Sequence, residues 1–182
     1  LVILHDGKVR LERYGLGFDS AGRWTSFSVA KSITSVLVGA AIRDGHIRSM
    51  DDKVSDYIPQ MKGSAYDDVS IRQLLTMTSG IRWNEDYADP NSDVARFNNH
   101  QPEDGVEALV SYLRRLPREA PAGTRWLYST GETNLVGILV GQATKAAHLL
   151  RRHVGRGAED GPSVAKRAVV RQIADKSEIE EP

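Results

Sequence analysis

The chain has no cysteine, which excludes disulfides and every thiolate-ligated metal centre. It has no excess of either charge: 24 Lys and Arg stand against 24 Asp and Glu. That balance argues against a nucleic-acid partner or an anionic membrane surface. No apolar run approaches the length of a membrane-spanning segment, and no signal peptide is visible. There is no initiating methionine either. The chain opens at Leu1-Val2-Ile3-Leu4, already inside a strand-like run, and is expected to be a piece of a longer protein. Its histidines, His5, His46, His100, His148 and His153, form no H-x-x-x-H or similar pair, so each is read as structural or exposed, with no metal site. Aromatic residues stop at Tyr128. At 182 residues the chain is long enough for one ordinary domain.

Against that background one stretch stands out, Ser26-Phe27-Ser28-Val29-Ala30-Lys31-Ser32, with the apolar run that follows it through Ile42. The run is apolar on nearly all sides, which predicts a buried helix from Ser28, ended at Arg43-Asp44-Gly45 by a glycine suited to the C′ position. Ser28 and Lys31, one turn apart, share a face. Burial and the positive end of the helix dipole both push such a lysine toward its neutral form. A neutral amine beside a hydroxyl is a base beside a nucleophile, and a backbone N–H at a helix start can face a developing oxyanion. S-x-x-K alone is a weak signal, and the chain carries a second copy, Ser163 to Lys166. Arg167, Arg171 and Lys176 break its apolar positions, so it reads as a solvated segment.

The remaining pattern is that of mixed elements. Leu1 to Leu4 and Val9 to Gly15 predict a hairpin turning at Asp6-Gly7. Asp51-Asp52 is placed to cap a short helix Lys53 to Ile58, stopped by Pro59, and Ser70 to cap Ile71 to Met77, ended by Ser79-Gly80. Trp83 to Asn99 reads as a long polar loop. Its acids Glu85, Asp86, Asp89 and Asp93 lack the alternate oxygen ligands and central glycine of a calcium loop and are read as solvated. Gly105 to Leu116 is amphipathic, with Val106, Leu109, Val110 and Leu113 on one face, and is broken by Pro117 to Pro121. Tyr128 is expected in a turn ahead of a last apolar helix, Asn134 to Ala143.

Phe27-Ser28-Val29-Ala30-Lys31-Ser32 and Tyr128-Ser129-Thr130, joined by Leu74 to Gly80 and Pro121 to Thr124, together resemble the class C β-lactamase-like serine hydrolases. This group includes family VIII esterases, DD-peptidases and 6-aminohexanoate-dimer hydrolases. The S-x-x-K element is one that the wider penicillin-recognising superfamily shares. Ser28 to Ser32 and Met77 to Asp93 look most like the amide- and ester-cleaving branch near the 6-aminohexanoate-dimer hydrolases. The resemblance implies an α+β (mixed α/β) fold of the serine β-lactamase/DD-peptidase type, represented by an N-terminal hairpin of its antiparallel sheet and its helical region, the returning strands missing. It implies a partial hydrolase domain over 1–144, no cofactor, and a small-molecule ester or amide substrate. Ser28 resembles the acylated nucleophile, Lys31 the base and Tyr128 the tyrosine that shuttles the proton. Trp83 and Tyr87 fall where the family borders its substrate pocket.

Two departures qualify this. Thr130 stands where β-lactamases of this class usually carry an asparagine that helps hold a lactam, which weakens an antibiotic-hydrolysing reading. The third motif, of the Lys-Thr-Gly or His/Trp-x-Gly type, is missing. From Lys145 to Pro182 the chain does not resemble the family's continuation; a reading-frame change or a truncated gene explains it better than a divergent, partly helical or disordered tail. The reading expected is a serine hydrolase forming an acyl-enzyme on Ser28. The alternatives are a penicillin-binding or sensing module with slow deacylation, and an inactive fragment. The chain as it stands is not expected to be fully active.

Overall fold

In the computed structural model the described residues are 1–23 and 25–145. The tail expected from Lys145 lies outside them apart from its first residue, as does the second S-x-x-K copy at Ser163 to Lys166. The chain divides into two compact units, Leu1–Ala30 and Lys31–Pro182.

The first unit is built on a hairpin of β1 (Val2–His5) and β2 (Lys8–Glu12). Asp6 and Gly7 both take positive φ, 51° and 70°, the two-residue turn whose twist matches that of the flanking strands. The register pairs His5 with Lys8 and Leu4 with Val9, then slips at a bulge so that Ile3 faces Leu11. Ile3 and Leu4 point to opposite faces, so the ribbon carries apolar pairs on both, and every residue in it is exposed. The unit ends in a 3-10 turn, Phe27–Val29.

The second unit holds the core. Helix α1 (Ala30–Arg43) enters it and closes on a glycine-ended cap. Gly45 at φ 76° donates to Ile42 O, and His46 to Ala41 O, satisfying two orphan carbonyls. The expectation of a helix buried on nearly all sides is corrected here: only Thr34, Val38 and Ala41 are buried, while Val36 is 68% exposed. The buried positions lie four and three residues apart, a single stripe.

Short elements follow. Helix α2 (Val54–Tyr57) stops before Pro59 as expected, but no side chain caps it. Asp52 instead accepts from Tyr57 Oη at 2.5 Å and from Arg48 Nε at 3.3 Å, and Asp51 pairs with Arg72. Helix α3 (Ile71–Leu75) begins at a reciprocal capping box of Ser70 and Gln73. The segment expected to be one polar loop contains α4 (Asp93–Arg96), capped by Ser92, and a 3-10 turn Phe97–Asn99. Helix α5 (Ala108–Leu113) starts only at the cap Glu107, whose carboxylate takes the N–H groups of Leu109 and Val110.

Helix α6 (Thr130–Ala143) passes through the centre and packs on α2, α3 and α5. Leu135, Val136 and Leu139 are fully buried among Ile58, Met61, Leu74 and Leu113. It starts four residues earlier than its apolar pattern suggests. The Ser129 hydroxyl accepts from the Glu132 N–H, and that cap brings the polar stretch Thr130 to Thr133 into the helix.

Candidate active site

Ser28 stands in the first unit, in the 3-10 turn Phe27–Val29 rather than in the α-helix itself. Phe27 immediately before it takes φ 44°, a left-handed conformation that a bulky residue adopts at a cost of about 1–2 kcal/mol. Lys31, Tyr128, Thr130, Trp83 and Tyr87 all belong to the second unit, and there the fold brings them together.

Tyr128 precedes the Ser129 cap of α6, and Lys31 lies in the first turn of α1. The Lys31 ammonium sits 5.1 Å from the centre of the Tyr128 ring, within cation–π range. Its Nζ also donates to Thr130 Oγ1 at 3.2 Å. Within this unit the heads of α1 and α6 thus meet through the Lys31 amine, the Tyr128 ring and the Thr130 hydroxyl.

Glu85 completes this cluster, a residue that sequence reasoning left among solvated acids. Its carboxylate receives the Thr130 N–H at 2.9 Å and the Tyr87 hydroxyl at 2.8 Å, and both the Trp83 indole N–H and the Thr130 hydroxyl in close contacts. Burial pushes the Glu85 carboxyl up, but those four donors outweigh it and hold it below the usual glutamate value. Asp93 is not solvated either: it is buried, taking the Asn84 N–H at 2.7 Å and the Tyr112 hydroxyl at 2.6 Å. The one signal for Glu85 was its spacing. Trp83, Glu85 and Tyr87 alternate, and in an unhelical segment alternate side chains share a side.

Trp83 and Tyr87 take different positions. Trp83 is 6% exposed, tilted against Phe97 at 5.9 Å between ring centres, and lies flat enough beneath Gly131 that a Cβ there would meet its ring at 2.8 Å. Tyr87 is 73% exposed, only its hydroxyl being held, by Glu85 and at 3.3 Å by Thr130. Thr130 itself is 6% exposed.

Behind the cluster lies a second buried carboxylate. Glu132, 2% exposed, contacts the Ser79 hydroxyl closely and the Tyr66 hydroxyl at 3.4 Å. Its Oε2 has no protein hydrogen-bond partner among the described residues. Ser129-x-x-Glu132 has the form of a capping box, a signal present in the sequence, although this glutamate turns inward instead of back to the cap.

The beta-lactamase family model matches residues 1–159. A 6-aminohexanoate-dimer hydrolase of Paenarthrobacter ureafaciens is 40% identical over 93 residues, covering 51% of this chain and 24% of that protein. A beta-lactamase of Pseudomonas fluorescens is 24% identical over 153 residues, covering 79% of the chain and 38% of the relative. A solved Bacillus anthracis protein, assigned provisionally as a 6-aminohexanoate-dimer hydrolase, superposes with a TM-score of 0.64 at 19% identity, over 79% of this chain and 39% of that one. The chain therefore spans well under half the length of these relatives, and the likeness of fold bears out the α+β class expected from the sequence.

Proposed function

Because the chain belongs to the beta-lactamase family, we propose that it carries the nucleophile and proton-transfer groups of a serine hydrolase cleaving a small ester or amide. Ser28 attacks the carbonyl, forming the Oγ–carbonyl carbon bond of a tetrahedral intermediate. Its proton passes to the Lys31–Tyr128 pair and then to the leaving alcohol or amine, whose bond to carbon breaks to give the acyl-enzyme. Water, deprotonated by the same pair, attacks the acyl carbon and releases the acid, returning a proton to Ser28. The observation that supports this reading is the placement of Lys31 Nζ over the Tyr128 ring and against Thr130, which puts side chains far apart in sequence within reach of one another.

Of the aromatic residues around that pair, Tyr87 and Trp126 are exposed and can meet a substrate, Trp126 lying tilted against the Tyr128 ring at 6.4 Å, while Trp83 is buried against Gly131. The amide- and ester-cleaving branch is preferred over lactam hydrolysis because Thr130 stands in place of the usual asparagine and its hydroxyl is already engaged. The 40% identity to the P. ureafaciens 6-aminohexanoate-dimer hydrolase supports the same branch.

The test uses a serine-directed phosphonate on the full-length protein. Ser28→Ala is expected to abolish covalent labelling and p-nitrophenyl ester turnover, Ser163→Ala to change neither, and Tyr128→Phe to slow labelling by about 10²–10⁴-fold, the usual worth of general acid–base catalysis. Labelling that survives in Ser28→Ala overturns the assignment.

A further inference from the structure

The Thr130 hydroxyl has one proton and two lone pairs, and three groups surround it: Lys31 Nζ at 3.2 Å, Tyr87 Oη at 3.3 Å, and the Glu85 carboxylate in close contact. An ionised carboxylate only accepts, so the Thr130 proton points to Glu85. An ammonium only donates, so a Thr130 lone pair points to Lys31. The hydroxyl therefore cannot rotate without breaking a charge-assisted bond on one side or the other. Glu85 also takes the Thr130 backbone N–H at 2.9 Å, so both the side chain and the main chain of this residue are fixed by one carboxylate. With the indole of Trp83 and the hydroxyl of Tyr87, the four acceptor sites of Glu85 are all filled.

We propose that Glu85 is a positioning residue of the hydrolytic site: it sets the Thr130 hydroxyl as an acceptor for Lys31 and thereby holds the lysine amine at Tyr128. The inference rests on the reading of Lys31 and Tyr128 as the proton-transfer pair, but the residue and its mode of action are additional to it. The bonds of Glu85 run to Thr130, Trp83 and Tyr87, and it acts through Thr130. It also ties the 83–87 segment to the head of α6, so that Tyr87 and the proton-transfer pair keep a common frame. The carboxylate, by taking the Thr130 proton, makes the Thr130 oxygen a better acceptor for Lys31.

The rate of phosphonate labelling at Ser28, measured on the full-length protein, tests this. Glu85→Gln keeps the size of the side chain and removes the charge. It is expected to lower the labelling rate by about tenfold, the order of one lost charge-assisted contact. Thr130→Val should do the same, Thr130→Ser should restore the parent rate, and the double variant Glu85→Gln/Thr130→Val should be no worse than either single one, since both cut the same link. A purely structural role for Glu85 would add to Thr130→Val and leave Thr130→Ser without rescue; that outcome overturns the proposal. Should Glu85→Gln fail to fold, as judged by its melting curve, Thr130→Val against Thr130→Ser carries the same test with the carboxylate intact. Lys31→Ala separates the two levels of inference. If it abolishes labelling while Glu85→Gln matches the parent, only the role of Glu85 falls; if it leaves labelling untouched, the proton-transfer pair falls and the role of Glu85 with it.

Discussion

Glu132 shows how much a single buried carboxyl can weigh. Burial pushes it up to about 7 from an ordinary 4.5, against the opposing pull of the Ser79 and Tyr66 hydroxyls. Tyr66 is raised well above its ordinary value by the same burial and by the carboxylate facing it. Between about pH 4.5 and 7 the folded chain therefore keeps a proton that the unfolded chain has released, and stability must fall as pH rises through that window and level off above it. The shift corresponds to something on the order of 3 kcal/mol, a large share of the stability of a small domain. Glu132→Gln resembles the protonated form, keeping an acceptor for Ser79 and Tyr66. Urea unfolding of the chain at pH 5 and pH 8 should show the parent losing stability at the higher pH and the variant nearly unchanged. A variant with the parent's slope would mean that another group titrates.

At the scale of elements, the boundaries are decided by small residues that sequence patterning treats as neutral. The apolar period of α6 begins at Asn134, but the helix begins at Thr130 because Ser129 caps it and because Gly131 lets the first turn press on Trp83. The capping box at Ser70, the hairpin turn at Asp6-Gly7 and the glycine end of α1 were all legible, since each is a local device with a fixed residue spacing. Legible too were Lys31, Tyr128 and Thr130 as members of one motif set, though nothing local in the sequence could show Lys31 bonding to Thr130 across 99 positions. The failure to see α4 and the burial of Asp93 has the same origin. Their acids are paid for by partners far along the chain, Asp93 by Tyr112 and Glu85 by Thr130. Gly131→Ala tests the close approach directly. The added Cβ would meet Trp83 Cη2 and Cζ3 at 2.8 Å and Leu113 Cδ2 at 3.1 Å, and a fused ring packed on Phe97 has little room to yield. The expected cost is about 1–3 kcal/mol, read as a lower urea midpoint with an unchanged slope. A midpoint equal to the parent's would show that the indole moves aside freely.

Across the whole molecule the two units differ in what holds them. Among the described residues, the second unit carries the buried apolar core, from Val38 to Leu139. The described residues of the first contribute nothing to it: every strand residue is exposed, including Leu4 at 64% and Val9 at 56%, and no residue of its 3-10 turn is buried. Fixing a residue's backbone costs about 1–2 kcal/mol, and without buried area to offset it a two-stranded ribbon is marginal in water. Its apolar pairs, Leu4 with Val9 and Ile3 with Leu11, face outward on both sides, a pattern suited to strands covered on both faces. Ser28 belongs to this weakly held unit, whereas Lys31 and Tyr128 belong to the one with a core. Amide hydrogen exchange on the 182-residue chain should therefore split sharply. The amides of Val2–His5 and Lys8–Glu12 are expected to exchange within about tenfold of unstructured peptide rates, through local opening at nearly no free-energy cost. Those of Leu135 to Leu139 in α6 should exchange only through global unfolding. Strand amides as slow as those of α6 would show that the ribbon is covered in solution, and the argument from its exposed faces would then be wrong.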